Sequence, residues 1–295
     1  MKFIELFAGI GGFRLGLEQS GHECVWSNEW LNKPASIYQY NFKDEPNRQD
    51  IRTVDPISIP SADLICGGFP CATFSHAGKR SGFSIEDTRG TLFFELCRIA
   101  SAKKIPYILL ENVAGLLTHE NGRTFAIIIQ SLHELGYDSQ WQLCNSRNFG
   151  IPQDRQRVFI VANSRTVARP KIFPIVGKFA ENDGEKEWGK VYPVLTPKRI
   201  KKRQNGRRIK GDNEPMFTLT AQDRHGVLIE NEDEFIFRSL TPIECERLQG
   251  LPDDFTKYYH TGKLVPDNER YERCGRTVTV PIIKEIGIKL SEIII

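Results

Sequence analysis

Short apolar runs alternate with amphipathic stretches over the first two-thirds of the chain, a rhythm that predicts βαβ units, an α/β fold and a parallel sheet. KFIELF reads as a strand, GFRLGLEQSG as a helix closed by Gly21, and ECVWSNE as a second strand. ADLICGG and YILLENV are further runs of the buried-strand kind, separated by the helical pattern RGTLFFELCRIASAKK. TFAIIIQSLHELG predicts a helix ended by Gly136, and SQWQLCN and RVFIVAN predict two more strands. After Asn163 the rhythm stops. From Arg169 to about Val227 proline, lysine and arginine accumulate without a sustained helical period, which predicts a second, irregular unit. SLTPIECERLQGLP then reads as a helix with Pro242 in its first turn. The closing TVTVPIIKEIGIKLSEIII resumes an apolar stripe that predicts a terminal helix folded back on the first unit. The boundaries implied are 1–168 completed by 271–295 for the first unit, and 169–270 for the second.

A chain of 295 residues has the length of about two domains, enough for a large core and a smaller appendage. Its seven cysteines are odd in number, lack CxxC pairs and sit mostly in apolar surroundings, which argues against a disulfide framework or a zinc site and for a reducing cytoplasm. No apolar run approaches membrane-spanning length, and MKFIELF is too soon interrupted to act as a signal peptide, so a soluble intracellular protein is expected. A net charge of +3 does not announce a nucleic-acid partner. The run KRIKKRQNGRRIK, from Lys198 to Lys210, changes that picture locally: it is either a solvated loop or a segment that contacts phosphates.

FAGIGG follows the first strand and opens the first helix, where glycine lets the backbone approach a nucleotide-like ligand. Glu29, 20 residues after Gly9 and at the end of the second strand, is placed to accept hydrogen bonds from ribose hydroxyls. There is no GxxxxGK[ST] and no full GxGxxG spacing, so an adenosyl cofactor without a pyrophosphate fits better than ATP or a dinucleotide. GGFPC sets Cys71 in a turn at the carboxyl end of a strand, the ligand-binding edge of such sheets. Taken alone, Cys71 is equally a small buried residue. LLENV brings Glu111 and Asn112 to the same edge, and QDRQRVFIV sets Arg155 and Arg157 two apart on one face of an extended segment. A thiol, a carboxylate and two cations then converge beside the cofactor.

The ordered set FAGIGG, GGFPC, ENV, QxRxR, LTPIECERLQG and a terminal GxxVxVP resembles the DNA cytosine-C5 methyltransferases of the compact bacterial, restriction-modification kind. The likeness covers nearly the whole chain and lapses only in the basic middle. It implies a Rossmann-like S-adenosylmethionine-dependent fold for the first unit, with a smaller target-recognition domain as the second. It implies that Cys71 adds to C6 of a cytosine extruded from duplex DNA, so that C5 takes an alkyl group from S-adenosylmethionine. Glu111, protonated or sharing a proton with ring N3, reads the amino edge; Arg155 meets the ring oxygen or orients the thiol; Arg157 supports the loop or a phosphate. The segment from Cys71 to Gly90 is then a closing loop with Gly78 and Gly82 as hinges. By the same likeness Phe7, Gly9, Gly11, Glu29, Trp30, Asp50, Ile51, Phe69, Leu92, Arg276 and Val278 surround the cofactor, Trp30 and Ile51 flanking adenine and Asp50 meeting its amino group. Ser75, Lys201, Arg203, Arg207, Arg208, Thr218, Thr220, Gln222 and Arg224 are the implied DNA contacts, with Thr218 and Thr220 in the Thr-Leu-Thr element. No metal is implied. The implied setting is a cytoplasmic, nucleoid-associated monomer that works on double-stranded DNA beside a cognate restriction endonuclease.

Two places depart from the family pattern. Pro-Cys-Gln is here Pro-Cys-Ala, with Ala72, and Gly-Asn-Ser-Val is here GRTV, with Arg276. Either the changes compensate sterically and methyl transfer continues, or the added room and cation suit a larger anionic group such as the carboxymethyl of carboxy-S-adenosylmethionine. Two other readings are transfer to cytosine in RNA and a silent DNA-binding protein; the basic, separately organised middle favours duplex DNA, and a silent binder has no need of Cys71, Glu111 and Arg155 together.

Overall fold

The computed structural model describes residues 1–69, 92–177, 190–195, 207–230 and 234–292. Its centre is a six-stranded sheet in the order β2-β1-β3-β4-β7-β5, built from β1 (Lys2–Leu6), β2 (Glu23–Asn28), β3 (Leu64–Gly68), β4 (Tyr107–Val113), β5 (Tyr137–Asn145) and β7 (Gln156–Ser164). β1 to β4 pair in parallel, while β7 runs antiparallel to both β4 and β5. The expectation of a parallel sheet is corrected at this one strand. The connection 146–155 holds only a 3-10 turn (Ser146–Phe149) and a two-residue strand, too little to carry a crossover, so β5 and β7 meet as antiparallel neighbours.

Alternation along β1 assigns its side chains to two cores. Ile4 and Leu6 pack with α3 (Leu92–Lys103) and α4 (Arg123–Glu134) on one face; Phe3 packs on the other with α1 (Gly12–Glu18) and α7 (Val280–Ser291). The terminal helix therefore does fold back on the first unit. It comes close because Gly16 of α1 has no side chain: a Cβ there would lie 2.6 Å from Ile283. His22 fixes the same junction through Nε2, 2.9 Å from the Gly287 carbonyl.

The second unit is more regular than its composition predicts. Among the described residues it holds an antiparallel sheet, β11-β10-β8, of β8 (Lys190–Leu195), β10 (His225–Glu230) and β11 (Phe235–Ser239), and its short β9 (Met216–Phe217) pairs in parallel with β6 (Gln153–Asp154) of the first unit. The predicted helix is α5 (Pro242–Arg247), closed by a reciprocal Thr241–Glu244 capping box. Two helices escape the pattern reading. α2 (Asn32–Phe42) is amphipathic only weakly, and α6 (Asp267–Arg276), DNERYERCGR, is almost all polar yet buries Glu269, Arg270 and Arg273. Met216, Leu219 and Leu248 share a third core with Ile10, Ile37 and Val280, which fastens the second unit to the first.

Candidate active site

The turn after β1 takes left-handed backbone at Phe7, Gly9 and Gly11 (φ 56°, 59° and 89°), which aims successive backbone N–H groups toward the end of β2. Glu29 is met there from both sides. Its Oε2 accepts from the Gly9 N–H at 2.9 Å and its Oε1 from the Leu31 N–H at 2.8 Å. Burial pushes the Glu29 carboxyl above its ordinary pKa, against the pull of these two N–H groups and of the Arg273 and Arg48 charges. Next to it Trp30 keeps 60% of its surface exposed.

These groups border a cleft of about 490 Å³ at the carboxyl ends of the parallel strands. Phe7, Gly9, Glu29, Trp30, Phe69, Leu92, Arg276 and Val278 of the expected cofactor set line it, and so do Glu111, Arg155 and Arg157. Three expected residues stand outside its walls. Gly11 opens α1 against the Phe42 ring, where any side chain would collide. Asp50 caps the short 3-10 turn Ile51–Thr53, accepts from the Arg52 N–H at 3.1 Å and is ion-paired with Arg52. Ile51 is buried in the core under α3.

Glu111 sits near the end of β4, and the β4–β7 register puts Val113 opposite Arg157. Glu111 and Arg157 are thus diagonal neighbours on one face, with Arg157 Nε 3.0 Å from Glu111 Oε1. Gly68 leaves room for this carboxylate, since a Cβ there would lie 3.1 Å from Oε2. Asn112 donates through Nδ2 to the Phe69 carbonyl at 2.7 Å, tying the ends of β4 and β3 together.

The two arginines divide their work in the reverse of the expected way. Arg155 is fully buried and spends its guanidinium on backbone carbonyls: Nη1 on Leu219 (2.9 Å), Nη2 on Thr277 (2.9 Å), and both on Gly275 (3.3 Å). It clasps the second unit and the end of α6 to the sheet, and Arg157 is the cation beside the carboxylate. Burial, aided by the Arg157 charge, lowers the Arg155 pKa to about 9, which still leaves it cationic at neutral pH.

Cys71, Ser75, Lys201 and Arg203 lie outside the described residues, as does Ala72. Of the other expected DNA contacts, Thr218 donates its hydroxyl to the Asp154 carbonyl and Thr220 exchanges hydrogen bonds with Asp223 at 2.9 and 3.1 Å. Their hydroxyls place the Thr-Leu-Thr element rather than reach outward. Arg207 is paired with Glu214 at 2.7 Å, Arg208 is half-buried, Gln222 is exposed, and the Arg224 guanidinium lies over the Tyr271 ring, 4.6 Å from its centroid.

Sequence reasoning missed Arg273, which lines the cleft from α6. The one signal was its place three residues before Arg276, on the same helical face.

The chain matches the family model for C-5 cytosine-specific DNA methylase over residues 1–178 and 164–292. It is 37% identical to the Type II methyltransferase M1.ScrFI of Lactococcus lactis subsp. cremoris over 99% of this chain and 78% of that protein. It is 33% identical to the Type II methyltransferase M.HhaI of Haemophilus parahaemolyticus over 99% and 94%. Among solved structures, Dnmt2 methyltransferase of S. pombe superposes with a TM-score of 0.71 at 17% identity, covering 99% of each chain.

Proposed function

The chain belongs to the C-5 cytosine-specific DNA methylases and methylates cytosine C5 in DNA from S-adenosylmethionine, and on that premise we propose how its residues share the reaction. The observation that carries the proposal is the Glu111–Arg157 pair lining the same cleft as Glu29. The cleft's volume suits a nucleoside-sized ligand, and each Glu29 oxygen, though held by one backbone N–H, keeps a lone pair for a ribose hydroxyl. Trp30 offers a free ring face to adenine, and the Gly9 turn lets the backbone come close. S-Adenosylmethionine supplies the electrophile, a methyl group on a sulfonium.

Cytosine C5 is a poor nucleophile, and that sets the task of the protein's own groups. The Cys71 thiolate adds to C6, which breaks the 5,6 double bond and turns C5 into an enamine-like carbon nucleophile. Glu111 holds N3 and the amino edge through the addition. Arg157 keeps the Glu111 carboxylate aimed through Nε and spends Nη1 on the Gln156 carbonyl, which leaves Nη2 for the ring oxygen. Once C5 has taken the methyl group, with S-adenosylhomocysteine as the leaving group, removal of the C5 proton expels the thiol and restores the 5,6 double bond. Because C6 is inaccessible inside a duplex, the cytosine is flipped into the cleft. Residues 1–168 with 271–295 form the catalytic domain; residues 169–270 form the target-recognition domain, whose Gln222 and basic run Lys198–Lys210, including Lys201, Arg203, Arg207 and Arg208, approach DNA along with Ser75. The protein works as a cytoplasmic, nucleoid-associated monomer, beside an endonuclease cutting the same site.

The test is Cys71→Ser, assayed by nucleoside mass spectrometry of plasmid DNA and by gel shift. We expect 5-methylcytosine to vanish with DNA binding retained. Continued methylation would sink the assigned role.

A second reading is favoured by Arg276, which lines the cleft with 59% of its side chain exposed and is paired, among the described residues, with Glu272 at 2.9 Å. A cation so placed can meet the carboxylate of carboxy-S-adenosylmethionine, giving 5-carboxymethylcytosine. Arg276→Asn should then shift the preference toward S-adenosylmethionine in a competition assay, and an unchanged ratio rejects this reading.

A further inference from the structure

Arg273 lines the cleft without a close hydrogen bond or ion pair among the described residues. Its side chain is 9% exposed, and its Nε is buried without a hydrogen-bond partner among the described residues. Its ion-pair contacts there are long: Nε lies 3.8 Å from Glu269 Oε1, and Nη2 lies 3.7 Å from Glu272 Oε2. Glu269 Oε1, the atom that faces Nε, is likewise buried without a hydrogen-bond partner among the described residues. Glu269 is taken up by Lys33 at 2.8 Å and by the Tyr259 hydroxyl at 3.0 Å, both on Oε2. Glu272 is held by Arg276. A buried guanidinium facing a cleft with donors unsatisfied is costly unless something completes it.

Arg273 and Arg276 are three apart at the end of α6, so both reach the cleft from one helical face. Arg273 lines the cleft together with Glu29, the carboxylate assigned to the ribose, and its charge pulls against the rise in the Glu29 pKa. Basic residues at a helix C-terminus are favourable without any ligand. That accounts for exposed Arg276 and does not explain why Arg273 is buried in the cleft wall.

We infer that Arg273 is a carboxylate-binding residue of the cofactor cleft, with Glu272 as the internal counter-charge that gives way when a ligand carboxylate enters. This rests on the cofactor reading above. Two sources offer the same chemistry: the aminoacyl tail common to every S-adenosyl donor, and a carboxylate on the transferred group. Arg273 forms no bond to the transferred carbon and acts by binding alone.

The test is calorimetric titration of the parent protein, Arg273→Gln and Arg273→Lys with three probes, none of which requires turnover. S-Adenosylhomocysteine carries the tail carboxylate, 5′-methylthioadenosine carries none, and carboxy-S-adenosylmethionine carries two. The expected result is that Arg273→Gln weakens S-adenosylhomocysteine by roughly ten- to a hundredfold, spares 5′-methylthioadenosine, and is partly rescued by Arg273→Lys. Weakening confined to carboxy-S-adenosylmethionine supports the residue and moves its partner to the transferred group. Equal weakening of all three probes, or of none, overturns the inference and leaves Arg273 as a counter-ion to Glu269. A parent protein that binds none of the three overturns the cofactor reading itself, and is told apart by the missing parent titration. Should Arg273→Gln not fold, Arg273→Lys against the three probes carries the same comparison. Glu272→Gln should tighten the carboxylate-bearing probes severalfold.

Discussion

Replacing Arg155 by leucine should unfold the site rather than merely slow it. The buried guanidinium donates to three carbonyls, those of Leu219, Gly275 and Thr277, which belong to two segments distant in sequence. Leucine removes every donor at once. Each buried carbonyl left unpaired costs about 1–3 kcal/mol, part of which is recovered because a buried charge no longer needs desolvation. The net loss should be ~3–5 kcal/mol, in line with breaking one side of a buried charged network. For a chain of this size that corresponds to a fall of roughly 5–8 °C in the unfolding midpoint. Arg157→Leu is the control: it removes the partner of Glu111 but no such clasp, so its midpoint should fall by only about 1–3 °C, while methylation slows roughly a hundredfold or more. Differential scanning fluorimetry together with single-turnover methylation of a duplex separates the two effects. An Arg155→Leu protein that melts with the parent yet has lost its chemistry would refute the clasp and return Arg155 to the reacting centre.

Two further predictions concern the frame beneath the cleft. Glu5 is fully buried under the glycine turn, Oε1 accepting from the Arg14 N–H at 3.3 Å and Oε2 unsatisfied, and burial raises its pKa to about 8. The folded protein then holds a proton that the unfolded chain releases near pH 4.5, so stability is full below that pH and declines by about 2 kcal/mol from pH 6 to 8; Glu5→Gln should flatten the decline in urea titrations, and an unchanged slope would place its cause elsewhere. Gly16→Val should cost about 1–3 kcal/mol by pushing α7 off α1, since the added Cβ already falls 2.6 Å from Ile283, and a midpoint equal to the parent's would show that α7 can move without loss.

What was legible in the sequence follows from how each element is buried. Strands covered on both faces, such as β3 and β4, carry continuous apolar runs and stand out, and glycines forced by backbone geometry mark the turn after β1. α6 was invisible for the opposite reason. Its buried side chains are mostly charged, Arg270 for one being held by Glu246, Thr256 and Asp254, so an apolar period never appears in DNERYERCGR. The second unit hid its sheet likewise, because β11 is exposed along most of its length and β8 is only partly buried. The roles of the two arginines were beyond spacing altogether. Residues two apart on an extended segment point the same way, yet Arg155 precedes β7 while Arg157 lies within it, opposite Val113. The reversal of that single strand is therefore what puts one guanidinium beside Glu111 and leaves the other to bind the chain together. Periodicity alone cannot show the direction of a strand, so the pairing of Glu111 with its cation had to wait for the register.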